Sequence, residues 1–152
     1  MIIIKKAHPG NVELISLFQE RMALETENLK LDPCTLRRGV SAVFSDPVKG
    51  CYYIAEIEGK IAGSLLITYE WSDWRNGMIL WIQSVYVLPE YRNKGVFRHL
   101  YNHIKKMVED DPGHHGIRLY VDRTNKRAMD VYSRYGMNGG HYRLFEWIKF
   151  SR

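Results

Sequence analysis

The sequence predicts a single domain, residues 1–152, of mixed α/β or α+β class. A chain of 152 residues is the usual length of one domain, and 45% hydrophobic with 26% charged residues is typical of a globular protein. Strand-like segments cluster in the first half of the chain, whereas strands and helices alternate in the second half. This order predicts a mixed sheet with helices packed on it.

The first half begins with a strand and two helices. Residues 1–6 are apolar and β-branched, which suits a buried strand. Asn11 is a candidate cap for a helix whose apolar residues recur at helical spacing: Leu14, Ile15, Phe18 and Met22. Asp32 before Pro33 predicts the start of a second helix, which ends before Pro47. Its buried stripe is expected to be Leu36, Val40 and Phe44.

The middle of the chain predicts three strands. Residues 51–57 and 60–71 are rich in Tyr, Ile and Leu and are separated by Glu58-Gly59, the pattern of a hairpin. A polar loop at residues 72–77 precedes a third strand at residues 78–87. This third strand carries the segment on which the functional prediction rests.

The second half predicts alternating helices and strands. Val96, Leu100, Ile104 and Met107 recur every three to four residues, so a helix is expected, and it is broken at residues 111–113. A turn that contains His114 and His115 leads to a strand at 116–121. A helix at 128–135 ends at Gly136, and a last strand is expected at 142–150.

Lysine and arginine number 22 against 17 acidic residues, which gives a net charge of +5. This surplus suits an anionic partner, such as a phosphorylated cofactor, an acidic substrate or a nucleic acid. Because the chain has neither a long basic run nor a recognisable nucleic-acid-binding motif, we expect no nucleic-acid partner.

Disulfides, metal sites, membrane spans and signal peptides are not expected. Cys34 and Cys51 lack a CxxC pattern and a histidine at ligand spacing, so we expect reduced thiols in a cytoplasmic protein. His99 and His103 lie four residues apart, but both are predicted to face solvent without a third ligand, so no metal site is expected. No apolar stretch approaches the ~20 residues of a membrane span, and no signal peptide is predicted.

A strand, a short basic turn and a helix follow one another at residues 85–97. The start of a helix carries N–H groups without intrahelical acceptors and a partial positive charge, so it suits phosphate oxygens. Gly95 allows close approach of the backbone, and Arg92 and Lys94 add charge. The segment predicts a diphosphate cradle, with a capped surface turn as the alternative. It is neither GxxxxGK[ST] nor GxGxxG, so a P-loop nucleotidase and a Rossmann dehydrogenase lose support.

Two motifs in the same order resemble those of the GNAT acetyltransferase superfamily. The first, V-x-P-x-x-[RQ]-x-x-G-x-[GA], is matched by Val87, Pro89, Arg92 and Gly95, with Phe97 where the family has a small residue. The second, N-x-x-A-x-x-[LV]-Y-x-x-x-G-[FM], is matched by Asn125, Ala128, Val131, Tyr132, Gly136 and Met137. The resemblance covers the whole chain, more weakly before residue 50.

This resemblance implies a central mixed, mostly antiparallel sheet with flanking helices and splayed central strands. Acetyl-coenzyme A would lie between the strands at 78–87 and 116–121, with its pantetheine arm paired to the backbone of Val85 and Val87. Its pyrophosphate would accept N–H groups from Arg92, Asn93, Lys94, Gly95, Val96 and Phe97. Asn125 would contact the pantetheine or order the second motif. The Phe97 ring is expected to face the core with Tyr101.

The resemblance also implies acetyl transfer, in which a neutral amine attacks a thioester and a thiolate leaves. Tyr132 matches the family tyrosine that gives a proton to the leaving sulfur. Some relatives project a glutamate six residues before the motif valine, but that position is Trp81 here. The base therefore stays open among Glu70, Asp73, Tyr86, Glu25, Glu27 and a water chain.

Two groups of residues are candidates for holding the acceptor. Glu25 and Glu27 lie where the first helix should end, a region that covers the acceptor site in this fold. Trp71 and Asp73 lie around the loop before the third strand, together with Trp74. Carboxylates and aromatic faces both attract cationic amines. The alternatives are solvated charges at the helix end and tryptophans that anchor the loop on the core.

The predicted function is acetyl transfer from acetyl-coenzyme A to a primary amine. A small-molecule acceptor is favoured because Trp71, Trp74 and Trp81 would narrow a groove for a larger one. The alternatives are a protein or peptide acetyltransferase and a catalytically silent coenzyme-A-binding regulator. The last strand, if exposed, would allow a homodimer.

Overall fold

The computed structural model describes residues 1–150, and the chain divides into two compact units. The first unit, Met1–Arg118, contains the sheet and three of the helices. The second unit begins at Leu119 and contains one helix within residues 119–150.

The first unit is built on a five-stranded sheet. Its strands are Ile2–Lys6 (β1), Cys51–Ile57 (β2), Lys60–Ser72 (β3), Gly77–Val87 (β4) and His114–Arg118 (β5). The strands lie in chain order. The pairs β1–β2, β2–β3 and β3–β4 are antiparallel, whereas β4 and β5 are parallel. The predicted mixed, mostly antiparallel sheet is therefore confirmed.

The described residues form four α-helices: Val12–Glu27 (α1), Pro33–Ser45 (α2), Val96–Asp110 (α3) and Lys126–Arg134 (α4). Two neighbouring residues of β2 show which faces α2 and α3 cover. Tyr52 stacks on Phe44 of α2, with ring centroids 5.7 Å apart, whereas Tyr53 lies against His103 of α3 at 5.3 Å. Because successive side chains of a strand point to opposite faces, α2 and α3 lie on opposite sides of the sheet.

Contact with Tyr53 makes the predicted exposure of His103 wrong. This side chain is half-buried, and burial lowers its pKa. His99, one turn earlier, is exposed as predicted, and its ring Nδ1 lies 2.8 Å from the Gly95 carbonyl oxygen.

Apolar side chains from the helices form the core on both faces of the sheet. On the α1 and α2 face, a cluster joins Ala7, Ile15, Val40, Tyr52 and Ile54, with Leu36 and Phe44 packed against it. On the α3 face, Leu100 and Ile104 are fully buried. Burial of each such aliphatic side chain stabilises the fold by about 1.5–3 kcal/mol. The stripes predicted for α2 and α3 are confirmed.

The two predicted helix caps have different outcomes. Asp32 caps α2, since its Oδ2 accepts the Thr35 N–H at 2.9 Å and the Thr35 hydroxyl at 2.6 Å. Asn11 precedes α1, but its Oδ1 accepts the N–H of His8 at 3.0 Å and makes no bond to α1. The Asn11 side chain therefore closes the short turn before α1 and does not cap the helix.

Strand β5 begins and ends earlier than predicted. His114 and His115 are its first residues, not part of a turn, and it ends at Arg118. The turn lies before them, where Asp111 Oδ1 accepts the Gly113 N–H at 2.8 Å. The Gly113 carbonyl then accepts the Met78 N–H at 2.8 Å, which starts the parallel pairing with β4.

In the second unit, α4 begins two residues earlier than predicted, and Gly136 follows its end with a φ of 87°. The predicted last strand is wrong, because residues 142–150 pair with no strand of the described chain. Every one of these residues is exposed. The alternating apolar pattern fits a strand, but a strand forms only where a partner supplies the ladder.

Candidate functional site

Strand β4 continues well beyond the end of β5. Their pairing runs from Met78 with His114 to Trp81 with Arg118, whereas β4 continues to Val87. On its other edge, β4 stays paired with β3 as far as Val87. Because β5 ends at Arg118, the last six residues of β4 have no β5 partner, which is the opening that the expected splay of the central strands requires.

A β-bulge lies in this part of β4. Leu66 pairs with Gln83 and Ser64 pairs with Tyr86, so β4 has one more residue than β3 across this step. Ser84 takes the left-handed backbone with a φ of 52°. Because Leu66 and Ser64 share a face of β3, the bulge puts Gln83 and Tyr86 on the same face of β4. A serine at this position gives no sequence signal for a bulge.

The end of β4 presents backbone groups away from β3. Leu88 N–H donates to the Ala62 carbonyl at 2.9 Å, so the preceding pair, Gly63 and Val87, is a non-hydrogen-bonded pair. The Val87 amide groups therefore point toward the edge that β5 occupies further up the strand. At that edge, Arg92 Nε donates a hydrogen bond of 2.8 Å to the Val87 carbonyl.

The turn after β4 leads directly into α3. Asn93 and Gly95 both take positive φ values, 64° and 82°. A Cβ at Gly95 would meet only the ends of the Arg98 and His99 side chains, at 3.4 and 3.7 Å, so its backbone angle and not crowding requires glycine. Helix α3 starts at the next residue, with its N-terminal N–H donors and positive dipole end at this turn.

Phe97, the departure from the first motif, packs within its own helix. Its ring lies 6.2 Å from that of Tyr101, and it is half-buried. The expected contact of Phe97 with Tyr101 is confirmed, but the ring is only half-buried and not fully within the core. The bulky side chain thus lies beside α3, while the backbone path of the turn keeps the conformation that Gly95 provides.

Glu25, in the last turn of α1, joins this turn to β4. Its Oε1 accepts the Tyr86 hydroxyl at 2.8 Å, and its Oε2 accepts Arg92 Nη2 at 2.8 Å. Burial raises the pKa of Glu25, but the hydrogen bonds from Arg92 and Tyr86 outweigh it, and the net pKa is lowered. Burial and the Glu25 hydrogen bond raise the pKa of Tyr86. Glu25 therefore keeps its negative charge and Tyr86 its proton.

A second polar cluster spans β3, β4 and β5 where the strands are still paired. Trp81 Nε1 donates to Glu70 Oε1 at 2.7 Å, and Arg118 Nη1 donates to both Glu70 oxygens at 2.9 and 2.8 Å. The hydrogen bond from Trp81, followed by that from Arg118, lowers the pKa of Glu70. Trp81, which occupies the position of the family glutamate, thus binds the carboxylate of Glu70 on the neighbouring strand.

The second unit contains the remaining motif residues. Asn125 Oδ1 accepts the Ala128 N–H at 3.1 Å and so caps α4. The Tyr132 side chain lies on this helix and is half-buried, and burial raises the pKa of its hydroxyl. A phenol with a raised pKa keeps its proton at neutral pH, as a proton donor must.

The predicted acceptor residues do not gather at one place. Glu25 lies at the cradle turn, and Glu27 is exposed at the end of the same helix. Trp71 pairs with Met78 at the opposite end of β4, roughly 23 Å from Val85 at the usual rise per residue. Trp71 is 60% and Trp74 88% exposed, so the alternative that the tryptophans anchor this loop on the core is wrong.

Residues 1–150 lack two further kinds of feature. They contain no group of three or more His, Cys, Asp or Glu side chains placed to hold a metal ion. None of their helices has the length and apolar character needed to cross a membrane.

Comparison with known proteins places this geometry in a family. A family model described as Acetyltransferase (GNAT) family matches residues 14–137. Thialysine N-epsilon-acetyltransferase of Bos taurus is 37% identical over 78 residues, 50% of this chain and 44% of that protein. The Sus scrofa protein of the same name is 28% identical over 148 residues, 89% of this chain and 83% of that protein. The chain thus spans less than half of the bovine relative.

Solved structures show the same fold. A possible acetyltransferase from Clostridium difficile 630 matches with a TM-score of 0.92 and 40% identity, over 99% of each chain. A predicted acetyltransferase with acetyl-CoA from Clostridium acetobutylicum matches with a TM-score of 0.73 over 99% of this chain and 96% of that one. At 18% identity, this second likeness shows the fold alone.

Proposed function

This chain belongs to the acetyltransferase (GNAT) family and is an acyltransferase, and from that premise we propose that it transfers an acetyl group from acetyl-coenzyme A to a primary amine of a small molecule. The observation that carries the proposal is the end of β4, which loses its β5 partner after Trp81 and leads through Gly95 into α3. The names of the two mammalian relatives specify acetylation of the N-epsilon amine of thialysine, which supports a small amine acceptor.

The residues at this end of β4 fit acetyl-coenzyme A. The Val87 amide groups point away from β3, so an extended pantetheine arm would pair with Val85 and Val87 as an added strand does. The diphosphate would accept backbone N–H groups of Arg92, Asn93, Lys94, Gly95, Val96 and Phe97 at the start of α3. Asn125 caps α4 and, in this proposal, also contacts the pantetheine.

The chemistry needs a proton donor and a neutral amine. Bound acetyl-coenzyme A supplies an acetyl group activated as a thioester. We assign the proton donor to Tyr132, whose raised pKa keeps its hydroxyl protonated. Glu25 and Glu70 both have lowered pKa values, and a good general base has a pKa near the working pH. A water chain therefore suits removal of the amine proton better than either carboxylate.

The acceptor would extend from the proposed cofactor site at the end of β4 toward the loop between β3 and β4. Trp71 and Asp73 are exposed at the far end of β4 and would hold the distal part of an extended acceptor. Glu27, at the end of α1, would attract its cationic groups. Glu25 is assigned differently below, because its carboxylate is already engaged.

Three wider properties belong to the same proposal. The family model spans both compact units, which supports treating residues 1–152 as one functional domain. Both cysteines are free, which supports the expectation of a cytoplasmic protein. We also propose a homodimer, because residues 142–150 expose four aromatic and two aliphatic side chains: Tyr142, Leu144, Phe145, Trp147, Ile148 and Phe150.

An amine panel tests the proposed reaction. The protein is incubated with acetyl-coenzyme A and single amines, including lysine-like diamines, amino sugars and a peptide with a free N-terminus. Free thiol release is followed, and the acetylated product is identified by mass. Thiol release with a small amine supports the proposal. Release with the peptide alone favours a protein acetyltransferase, and binding of acetyl-coenzyme A without release favours a silent regulator.

A further inference from the structure

Both oxygens of the Glu25 carboxylate accept hydrogen bonds from residues at the end of β4 and in the turn that follows it, where the cofactor is proposed to bind. One oxygen accepts the Tyr86 hydroxyl and the other accepts Arg92 Nη2, each at 2.8 Å. An arginine partner neutralises the charge of this carboxylate. A cationic acceptor that used the remaining lone pairs of this carboxylate would lie beside the positively charged guanidinium of Arg92, so like-charge repulsion opposes its binding there.

Arg92 is held at the end of β4 by three contacts. Its Nε donates to the Val87 carbonyl at 2.8 Å, and its Nη2 donates to Glu25. Its guanidinium also lies over the Tyr86 ring, 5.4 Å from the centroid. The guanidinium thus bridges the last residue of β4 and the last turn of α1, and its own backbone begins the turn toward Gly95.

Resting on the acetyl-coenzyme A site proposed above, we propose that Glu25 is a positioning residue for the cofactor: it fixes Arg92 across the end of β4 and so pre-organises the turn that leads to Gly95. It is not the carboxylate that holds the acceptor amine. Glu25 would act on the cofactor indirectly, through Arg92 and Val87. In this it differs from Glu27, two residues later, which is proposed to attract the acceptor.

The Arg92 contact is compatible with pairing of the pantetheine arm at Val87. A carbonyl oxygen has two lone pairs and accepts two hydrogen bonds, so one can serve Arg92 and the other an amide of the arm. Loss of Glu25 would leave the guanidinium with fewer constraints and the turn less ordered before binding. The free-energy cost of ordering the turn would then lower the affinity for acetyl-coenzyme A, and the rate of the chemical step would not change.

The test compares Glu25→Gln with Glu27→Gln, a matched change at the same helix end. The acetyl-coenzyme A Kd is measured by titration calorimetry, and kcat and both KM values are measured with an acceptor from the amine panel. For Glu25→Gln we expect Kd and KM for acetyl-coenzyme A to rise about fivefold to twentyfold, as for loss of part of a charged hydrogen bond. We expect kcat and the acceptor KM to stay within about twofold, and Glu27→Gln to leave the acetyl-coenzyme A Kd unchanged.

Arg92→Lys separates position from charge. Lysine keeps the positive charge but lacks the planar fork that reaches Val87 and Glu25 together. We expect it to weaken acetyl-coenzyme A binding as Glu25→Gln does, and the double variant to be no weaker than Arg92→Lys alone. Tyr86→Phe removes one of the two bonds to Glu25 and should give a smaller effect in the same direction.

The outcomes also distinguish this inference from the proposed function. If wild-type protein does not bind acetyl-coenzyme A, the proposed function and this inference both fail. If wild type binds it, while Glu25→Gln leaves its Kd unchanged and raises only the acceptor KM, Glu25 is an acceptor carboxylate and this inference alone is wrong. Additive effects of Glu25→Gln and Arg92→Lys would also overturn it.

Discussion

The indole N–H of Trp81 on β4 donates a hydrogen bond of 2.7 Å to the carboxylate of Glu70 on β3. Trp81 stands six residues before the motif valine, where some relatives have a glutamate. The sheet therefore keeps a carboxylate beside this position but supplies it from the neighbouring strand. Arg118 from β5 binds the same carboxylate, which ties together three adjacent strands near the point where β4 and β5 part.

Glu70 should make stability depend on pH in the acid range. Its folded pKa is below the ordinary value of 4.5, so the ionised form stabilises the fold above that value. This contribution is lost as the pH falls through the lowered folded pKa. We expect Glu70→Gln to be less stable than wild type at about pH 7 and to lose less stability on acidification. Urea unfolding at a series of pH values measures this.

The control for Glu70 is Glu109→Gln, in an exposed pair with Lys105 at 4.0 Å. Exposed pairs of this kind contribute about 0–1 kcal/mol, so its pH profile should follow that of wild type. Parallel profiles for Glu70→Gln and wild type would show that the Trp81 and Arg118 bonds do not stabilise the charge.

Tyr132→Phe should lower turnover more than it weakens acetyl-coenzyme A binding. The ring is retained, so packing on α4 changes little, and only the hydroxyl that would protonate the leaving sulfur is removed. General acid catalysis contributes about 10²–10⁴-fold, so kcat should fall at least tenfold with the Kd for acetyl-coenzyme A nearly unchanged. Steady-state assays of thiol release measure kcat, and titration calorimetry measures the Kd for acetyl-coenzyme A. Near-normal turnover would leave Tyr132 a packing role only.

The pH profile of kcat gives a second check on Tyr132. Because burial raises its pKa above the ordinary value of 10.0, the hydroxyl stays protonated through the neutral range. Loss of kcat through ionisation of Tyr132 should therefore be centred above pH 10. A loss of kcat centred well below that pH and absent in Tyr132→Phe would contradict the raised pKa.

Phe18 should be a main contributor to stability in the first unit. Its side chain is fully buried on α1 and lies 5.4 Å from the Tyr86 ring. We expect Phe18→Ala to cost about 3–5 kcal/mol of unfolding free energy, from lost burial and the cavity that remains. Leu17→Ala, at the neighbouring and partly exposed position, should cost much less. Denaturant unfolding compares them, and equal losses would place Phe18 outside the core.

The exposed segment at residues 142–150 predicts self-association. A homodimer of this 17.9 kDa chain should show about twice that mass in light scattering. Replacing Phe145 and Trp147, which are 91% and 85% exposed, by aspartate should give a monomer with unchanged unfolding behaviour. A monomer in the wild type at micromolar concentration would reject the proposed dimer.

Sequence patterns correctly predicted the parts of the fold that depend on residues close together in the chain. Pro89, Arg92 and Gly95 lie in the segment that connects β4 to α3, and Asp32 caps α2 by accepting the N–H of Thr35, three residues later. The contact of Glu25 with Arg92 joins residues 67 positions apart, so only tertiary packing brings them together. Serine is not a residue type typical of left-handed backbone, so no sequence pattern indicated the bulge at Ser84. Residues 142–150 have the apolar pattern of a strand, but no strand of the described chain pairs with them.

Cofactor binding at the Gly95 turn is the central claim, and a pair of glycine variants tests it most directly. Gly95 and Gly59 take nearly the same left-handed backbone, with φ values of 82° and 78°, but Gly59 lies in the β2–β3 hairpin. Valine at either position costs at least about 1–2 kcal/mol in backbone strain. Titration calorimetry with acetyl-coenzyme A is predicted to show binding to wild type and Gly59→Val, and none to Gly95→Val. Equal affinity in all three proteins would contradict the account.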